Sequence, residues 1–158
     1  MLNQEALFPM PQQAKTSDDY STPKWIFDAL NIEFDLDVAC PPEGPAHTPA
    51  KAWYTQETNG IASPWFGNVW MNPPYSAATA WVHKFIEHGN GIALLPMAKS
   101  QWFNVLWDVV PAVLVLPQKT LFEHPVHLSG SIFLPVMLAA YGPHNVEALQ
   151  NTNIGRVR

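Results

Sequence analysis

Asn72-Pro73-Pro74-Tyr75 puts an amide, two rigid residues and an aromatic ring into four consecutive positions. Each proline fixes its own φ and donates no backbone hydrogen bond, and Pro73 restricts Asn72 to extended geometry. The tetrapeptide is therefore a stiff corner, neither helix nor strand. A plain proline turn anchored by a packed tyrosine has this composition. So does a device for activating an amino group. The exocyclic amino group of adenine is a poor nucleophile because its lone pair is delocalised into the ring. The side-chain oxygen of Asn72 and the backbone carbonyl of Pro73 can accept both of its hydrogens. That draws the nitrogen towards tetrahedral geometry and stabilises the positive charge as it forms. Tyr75 can stack on a base turned out of its helix. A methyl donor held in line completes such a reaction, which needs positioning more than acid–base chemistry.

The corner has to be carried by something. Val69-Trp70-Met71, directly before it, reads as the end of a short buried strand. Thr22-Pro23 opens a helix, with Thr22 as cap and Pro23 in the first turn, and Trp25, Ile26, Ala29 and Leu30 share its face. Phe34–Ala39 alternates as a first strand that presents Asp37 near its carboxyl end, and the Pro41–Pro45 run breaks it. Residues 46–67 read as mostly loop, with Trp53-Tyr54 and Trp65-Phe66 as buried anchors and Asn59-Gly60 as a turn. A helix over 77–88 ends at Gly89-Asn90-Gly91, a buried strand over 92–95 stops at Pro96, and a Ser-capped helix covers 100–109. Val113–Leu116 and the apolar run Ile132–Tyr141 read as further strands, separated by a polar loop over 117–130. Strands alternating with helices predict an α/β fold with a mostly parallel sheet flanked by helices, whose ligands sit at the carboxyl ends of the strands. Residues 1–21 read as a loose arm, 22–141 as the domain and 142–158 as a polar, loosely held tail.

Composition narrows the classes. With 47% hydrophobic and 13% charged residues the chain is globular rather than disordered. Its net charge of −5 argues against a general nucleic-acid coat protein but allows an enzyme that grips DNA through a few cations. The single cysteine, Cys40, excludes an intramolecular disulfide and a Cys-rich zinc site, and reads as a small buried apolar residue. There is no apolar run long enough for a membrane span and no signal-peptide pattern, so the cytoplasm is the default expectation.

Taken together, the stretches Thr22–Leu30, Phe34–Cys40, Tyr54-Thr55, Asn59-Gly60-Ile61, Trp70–Ser76, Leu94-Leu95-Pro96 and Trp102-Phe103 resemble the phage-type DNA N6-adenine methyltransferase (Dam) family. The resemblance covers roughly residues 20–141. It implies a Rossmann-like fold that uses S-adenosylmethionine and acts on double-stranded DNA in the cytoplasm of a bacterial host. It further implies that Thr22 and Pro23 contact the amino-acid end of the cofactor. Asp37, with the backbone around Ala39, lines its methionine and ribose side, and Asn59 and Ile61 lie near its adenine. Asn72, Pro73, Pro74 and Tyr75 hold the target adenine, and Trp102 or Phe103 packs on the other face of the flipped base. The glycine-rich loop usual after the first strand is replaced by Val38-Ala39-Cys40-Pro41-Pro42-Glu43-Gly44. With 8 Lys and Arg in all, DNA binding has to rest on a small patch, such as Lys24, Lys99 and Lys119 with the 117–130 loop.

Each signal also has a plainer interpretation. Thr22-Pro23 is an ordinary helix start, Asp37 can cap a turn, and Trp102 and Phe103 have the spacing of core residues. Asp18-Asp19 reads as a solvated pair in the arm. His124-x-x-His127 lacks a third ligand nearby and reads as solvated loop, so no metal is expected. The same corner chemistry also suits an adenine in RNA or a glutamine side chain of a protein, and a non-catalytic binding protein can retain the fold.

Overall fold

Six consecutive buried residues, Gly91–Pro96, make a strand that has to be covered on both faces and paired on both edges. In the computed structural model, which describes residues 21–117, 121–122, 130–131 and 135–158, this segment is the centre of a seven-stranded sheet. The elements in chain order are α1 (Lys24–Leu30), β1 (Phe34–Asp37), β2 (Ala50–Trp53), β3 (Val69–Met71), a 3-10 turn (Tyr75–Ala77), α2 (Ala78–His88), β4 (Gly91–Pro96), α3 (Gln101–Val109), β5 (Ala112–Val115), β6 (Leu121–Phe122), β7 (Gly130–Ser131), β8 (Val136–Tyr141), α4 (Pro143–Asn151) and β9 (Arg156–Val157). The strand order is β2-β1-β3-β4-β8-β5-β9, and β6 and β7 pair separately. From β2 to β4 all pairings are parallel, whereas β8 runs antiparallel to both β4 and β5, and β9 antiparallel to β5.

Alternation along the strands divides the core into two layers. Trp70, Ile92 and Leu94 face one side, where Ile26, Phe27 and Leu30 of α1 and Leu149 of α4 cover them. Val69, Met71, Ala93 and Leu95 face the other, under Ala78, Val82 and Phe85 of α2 and Trp102 and Leu106 of α3. The expected α/β architecture, with a mostly parallel sheet flanked by helices, is what folds. Helix α2 ends where the sequence indicates, with Gly89 at φ 70°, and the Ser100 side chain caps α3 by accepting from the Phe103 N–H.

Several elements differ from the sequence reading. The first strand stops at Asp37, and Val38-Ala39 turn. The segment 46–67 contains an edge strand, β2, whose half-exposed pattern resembles a loop. Trp53 and Phe66, expected to be buried, are 46% and 48% exposed. Pro23 rather than Thr22 occupies the cap of α1, and no side chain caps that helix. Only the later part of the apolar run 132–141 is seen as strand, because 132–134 lie outside the described residues. So do residues 1–20 of the arm with Asp18-Asp19, and Lys119, His124 and His127.

The segment expected to be a loose tail is helix and strand. Pro143 starts α4, and the fully buried Asn145 donates to Asn68 Oδ1 and to the Tyr141 carbonyl, both at 2.8 Å. Beyond α4, Arg158 exchanges two backbone hydrogen bonds with Val113. Its guanidinium lies 4.1 Å from the Trp107 ring and donates to the Trp107 carbonyl. Polar composition concealed this, because a few residues do the docking: the buried Asn145 amide, Ala148 and Leu149 in the core, and one edge pairing.

Candidate active site

The neighbouring strands β1 and β3 end side by side. Asp37 is in register with Trp70, and Val38 N–H donates to the Trp70 carbonyl at 3.0 Å. Asn72 follows two residues later, so the two side chains stand roughly 8 Å apart at their Cα atoms, from strand spacing and rise alone. The end of a parallel sheet is where α/β folds leave an open crevice.

The corner is built as its composition requires. Pro73 is buried, Pro74 is extended (φ −60°, ψ 119°), and the Ala77 N–H donates to the Pro74 carbonyl to start the 3-10 turn. Tyr75 opens that turn and packs partly against the α1 side of the core. The Asn72 amide nitrogen donates to the Thr22 hydroxyl at 3.4 Å. With the nitrogen turned to Thr22, the amide oxygen faces away from it as an acceptor. Thr22 is itself buried, so the segment before α1 sets the orientation of the amide. This role spans 50 residues and left no signal in the sequence.

Asp37 is 3% exposed. Burial pushes its carboxyl from the ordinary 3.8 up to about 6, against hydrogen bonds from the Ala39 N–H and the Thr48 side chain that pull it down. Thr48 is a second residue that the sequence reading missed. The raised value has a consequence for stability. The folded state holds the proton between pH 3.8 and 6 while the unfolded chain does not, so stability falls as pH rises through that window, by about 3 kcal/mol for this group. Asp37→Asn removes the titration. In urea unfolding from pH 4 to 7, the stability of wild type relative to Asp37→Asn is expected to drop by most of that amount. A gap that stays flat across the window would show that Asp37 does not titrate there.

No glycine-rich turn follows β1. The chain instead extends the sheet for two more bonds, Tyr54 N–H to the Asp37 carbonyl and Cys40 N–H to the Tyr54 carbonyl, both at 2.8 Å. Cys40 is buried, and burial, aided by Asp37 and Glu43, pushes its thiol up to about 12, so it behaves as the expected apolar filler. A groove of about 340 Å³ opens beside this segment, lined by Pro42, Thr55, Gln56 and Glu57.

The 59–63 turn closes against the same strand end. A Cβ at Gly60 would stand 2.0 Å from the Val38 carbonyl oxygen, so only glycine permits this approach. Asn59 sits at φ 54° and its side-chain oxygen accepts from the Ala62 N–H, which shapes the turn. Ile61 is half-buried beside it. The 59–61 turn thus lies against the end of β1 beside Asp37 and Ala39, and Thr22 meets the 72–75 corner at the end of β3.

The remaining candidates divide. Trp102, 8% exposed, is part of the core, whereas Phe103 is half-buried at the start of α3 and stacks on Trp107. Lys99 is exposed between β4 and α3. Lys24 is exposed too, but both oxygens of Asp28 meet its ammonium at 2.6 and 2.7 Å, so its charge is already balanced on its own helix. Among the described residues no three His, Cys, Asp or Glu side chains converge, and no helix is long and apolar enough to cross a membrane.

Comparison with known proteins identifies the family of the chain. A family model described as DNA N-6-adenine-methyltransferase (Dam) matches residues 11–120. The chain is 33% identical over 99 residues to a DNA N-6-adenine-methyltransferase of Haemophilus phage HP1 (strain HP1c1), the match taking in 56% of this chain and 56% of that one. It is 38% identical over 97 residues to a DNA N-6-adenine-methyltransferase of Escherichia phage T1, covering 55% of this chain and 40% of that one. The chain thus spans about half the length of the curated relatives it matches.

Proposed function

This chain belongs to the DNA N-6-adenine-methyltransferase (Dam) family, and from that membership we propose that it transfers a methyl group from S-adenosylmethionine to N6 of an adenine in DNA. The observation that carries the proposal is the Asn72-Pro73-Pro74-Tyr75 corner at the carboxyl end of β3, beside the buried Asp37 of β1. The family and both phage relatives support DNA as the acceptor, and with it a place of action in the cytoplasm of an infected bacterium.

The donor set fits the cofactor. A buried carboxylate whose ionisation is opposed by desolvation gains most from a cationic or hydroxyl-bearing partner. The groove lined by Pro42, Thr55, Gln56 and Glu57 offers further polar groups along the segment that follows Tyr54. S-adenosylmethionine supplies an activated methyl group. Asp37, with Thr48 and Ala39 fixing its carboxylate, holds the methionine and ribose side, and Asn59 and Ile61 border the adenine. Thr22 and Pro23 border the amino-acid end, and Thr22 also aims the amide of Asn72.

The Asn72 side-chain oxygen and the Pro73 carbonyl accept from the two hydrogens of the target amino group. This localises the lone pair on nitrogen and offsets the charge that develops there. Proline suits the second position because its stiffness aims the carbonyl. Tyr75 stacks on the extruded base. The opposing contact falls to Phe103, since Trp102 is enclosed in the core. Lys99, exposed between β4 and α3, meets a phosphate in this reading.

Labelled methyl should pass from S-adenosylmethionine to unmethylated double-stranded DNA, and nucleoside analysis should find the label in N6-methyladenine. Label appearing in RNA or in protein glutamine instead would move the acceptor. Binding of the cofactor without transfer to any of these would leave a binding protein that retains the fold.

A further inference from the structure

Lys84 lies on α2, and its ammonium points into the concave side of the 59–63 turn. Three backbone carbonyls converge on it: Gly60 at 3.1 Å, Ile61 at 2.7 Å and Ser63 at 2.5 Å. An ammonium has three donors and no acceptor, so this set uses all of them. The Trp65 ring covers the ammonium, with its centroid at 5.1 Å, and the Trp65 indole N–H donates to the same Gly60 carbonyl at 2.7 Å. Trp81, one turn before Lys84, stacks on Trp65 at 6.4 Å. Its ring would stand 2.9 Å from a Cβ on Gly60, a position that also lies against the Val38 carbonyl.

Three carbonyl dipoles aimed at one point repel one another unless a cation or several donors sit there. Lys84 supplies the cation these three carbonyls need, beside the turn's own bonds from Ala62 and Ser63 to Asn59. The turn lies against Val38, the residue next to Asp37, and α2 continues directly from the 72–77 segment. One side chain thus joins the element bearing the corner to the wall of the crevice.

We propose that Lys84 is a positioning residue for the cofactor pocket: a half-buried cation that clamps the 59–63 turn against the end of β1. The proposal rests on the methyltransferase reading. Lys84 touches neither donor nor acceptor. It acts through the turn, so its effect belongs to cofactor binding rather than to turnover.

The test uses the full chain and the variants Lys84→Ala and Lys84→Met. Calorimetric Kd for S-adenosylhomocysteine and KM for S-adenosylmethionine are expected to rise roughly 10- to 100-fold, because binding then has to order a turn that Lys84 no longer holds. Over the same comparison kcat should change less than about threefold, since the corner chemistry is untouched. Added ethylammonium should recover part of the affinity in Lys84→Ala and leave wild type unchanged, which a general loss of stability does not explain.

Folded variants that bind within twofold of wild type would overturn the proposal, as would a drop in kcat at constant KM. Wild type that binds neither compound sinks the methyltransferase reading itself and this inference with it. Should both variants fail to fold, amide exchange on wild type decides. S-adenosylhomocysteine should slow exchange across 59–63, and unchanged exchange there alongside protection at 37–40 rejects the role.

Discussion

Asn72→Ala is expected to lower kcat for methyl transfer by about a thousandfold or more, equivalent to about 4 kcal/mol of transition-state stabilisation. The amide oxygen accepts from the target amino group as positive charge develops, in a crevice partly shielded from water, and alanine offers nothing in its place. The substitution also removes the long hydrogen bond to Thr22, which is worth about 1 kcal/mol or less at 3.4 Å. Unfolding by urea should therefore be little changed, and Kd for S-adenosylhomocysteine should stay within about threefold of wild type. The combination separates chemistry from binding and from folding. A loss of less than about tenfold in kcat would mean that the corner is only a turn.

Trp70→Ala tests the element beneath the corner. Trp70 is 1% exposed and fills the core layer under α1. Its ring meets Phe27 edge-on at 4.7 Å and Phe34 at 5.6 Å. Truncation removes the largest fully buried side chain among the described residues and leaves a cavity, so about 3–5 kcal/mol of stability should be lost. Against a total of about 5–15 kcal/mol for a domain, that is a large share. The midpoint of urea unfolding is the readout. A loss of under about 1 kcal/mol would mean that the aromatic cluster contributes little. Any remaining folded Trp70→Ala protein should still transfer methyl, since Trp70 is enclosed in the core beneath the corner, whereas Asn72→Ala should fold and not transfer.

The sequence by itself determined what depends on neighbours in the chain. Two prolines after an asparagine make a rigid corner wherever they stand, because φ restriction is local. The unbroken apolar run Gly91–Pro96 needs cover on both faces, which dictates a central strand. Ser100 and Gly89 mark helix ends by chemistry that reaches only three or four residues. Those features were enough to expect helices around a mostly parallel sheet, with Asp37 and Asn72 at strand ends.

What only the tertiary structure decided involves partners far apart in the chain. Nothing in the sequence pairs Thr22 with Asn72, Thr48 with Asp37, or Lys84 with the carbonyls of Gly60, Ile61 and Ser63. An edge strand such as β2 buries too little to impose a pattern, and α4 is held by only Asn145, Ala148 and Leu149 within a mostly polar segment. The choice between Trp102 and Phe103 is of the same kind. Adjacent helical positions point about 100° apart, and only the placement of α3 against the sheet turns Trp102 into the core and leaves Phe103 at the rim.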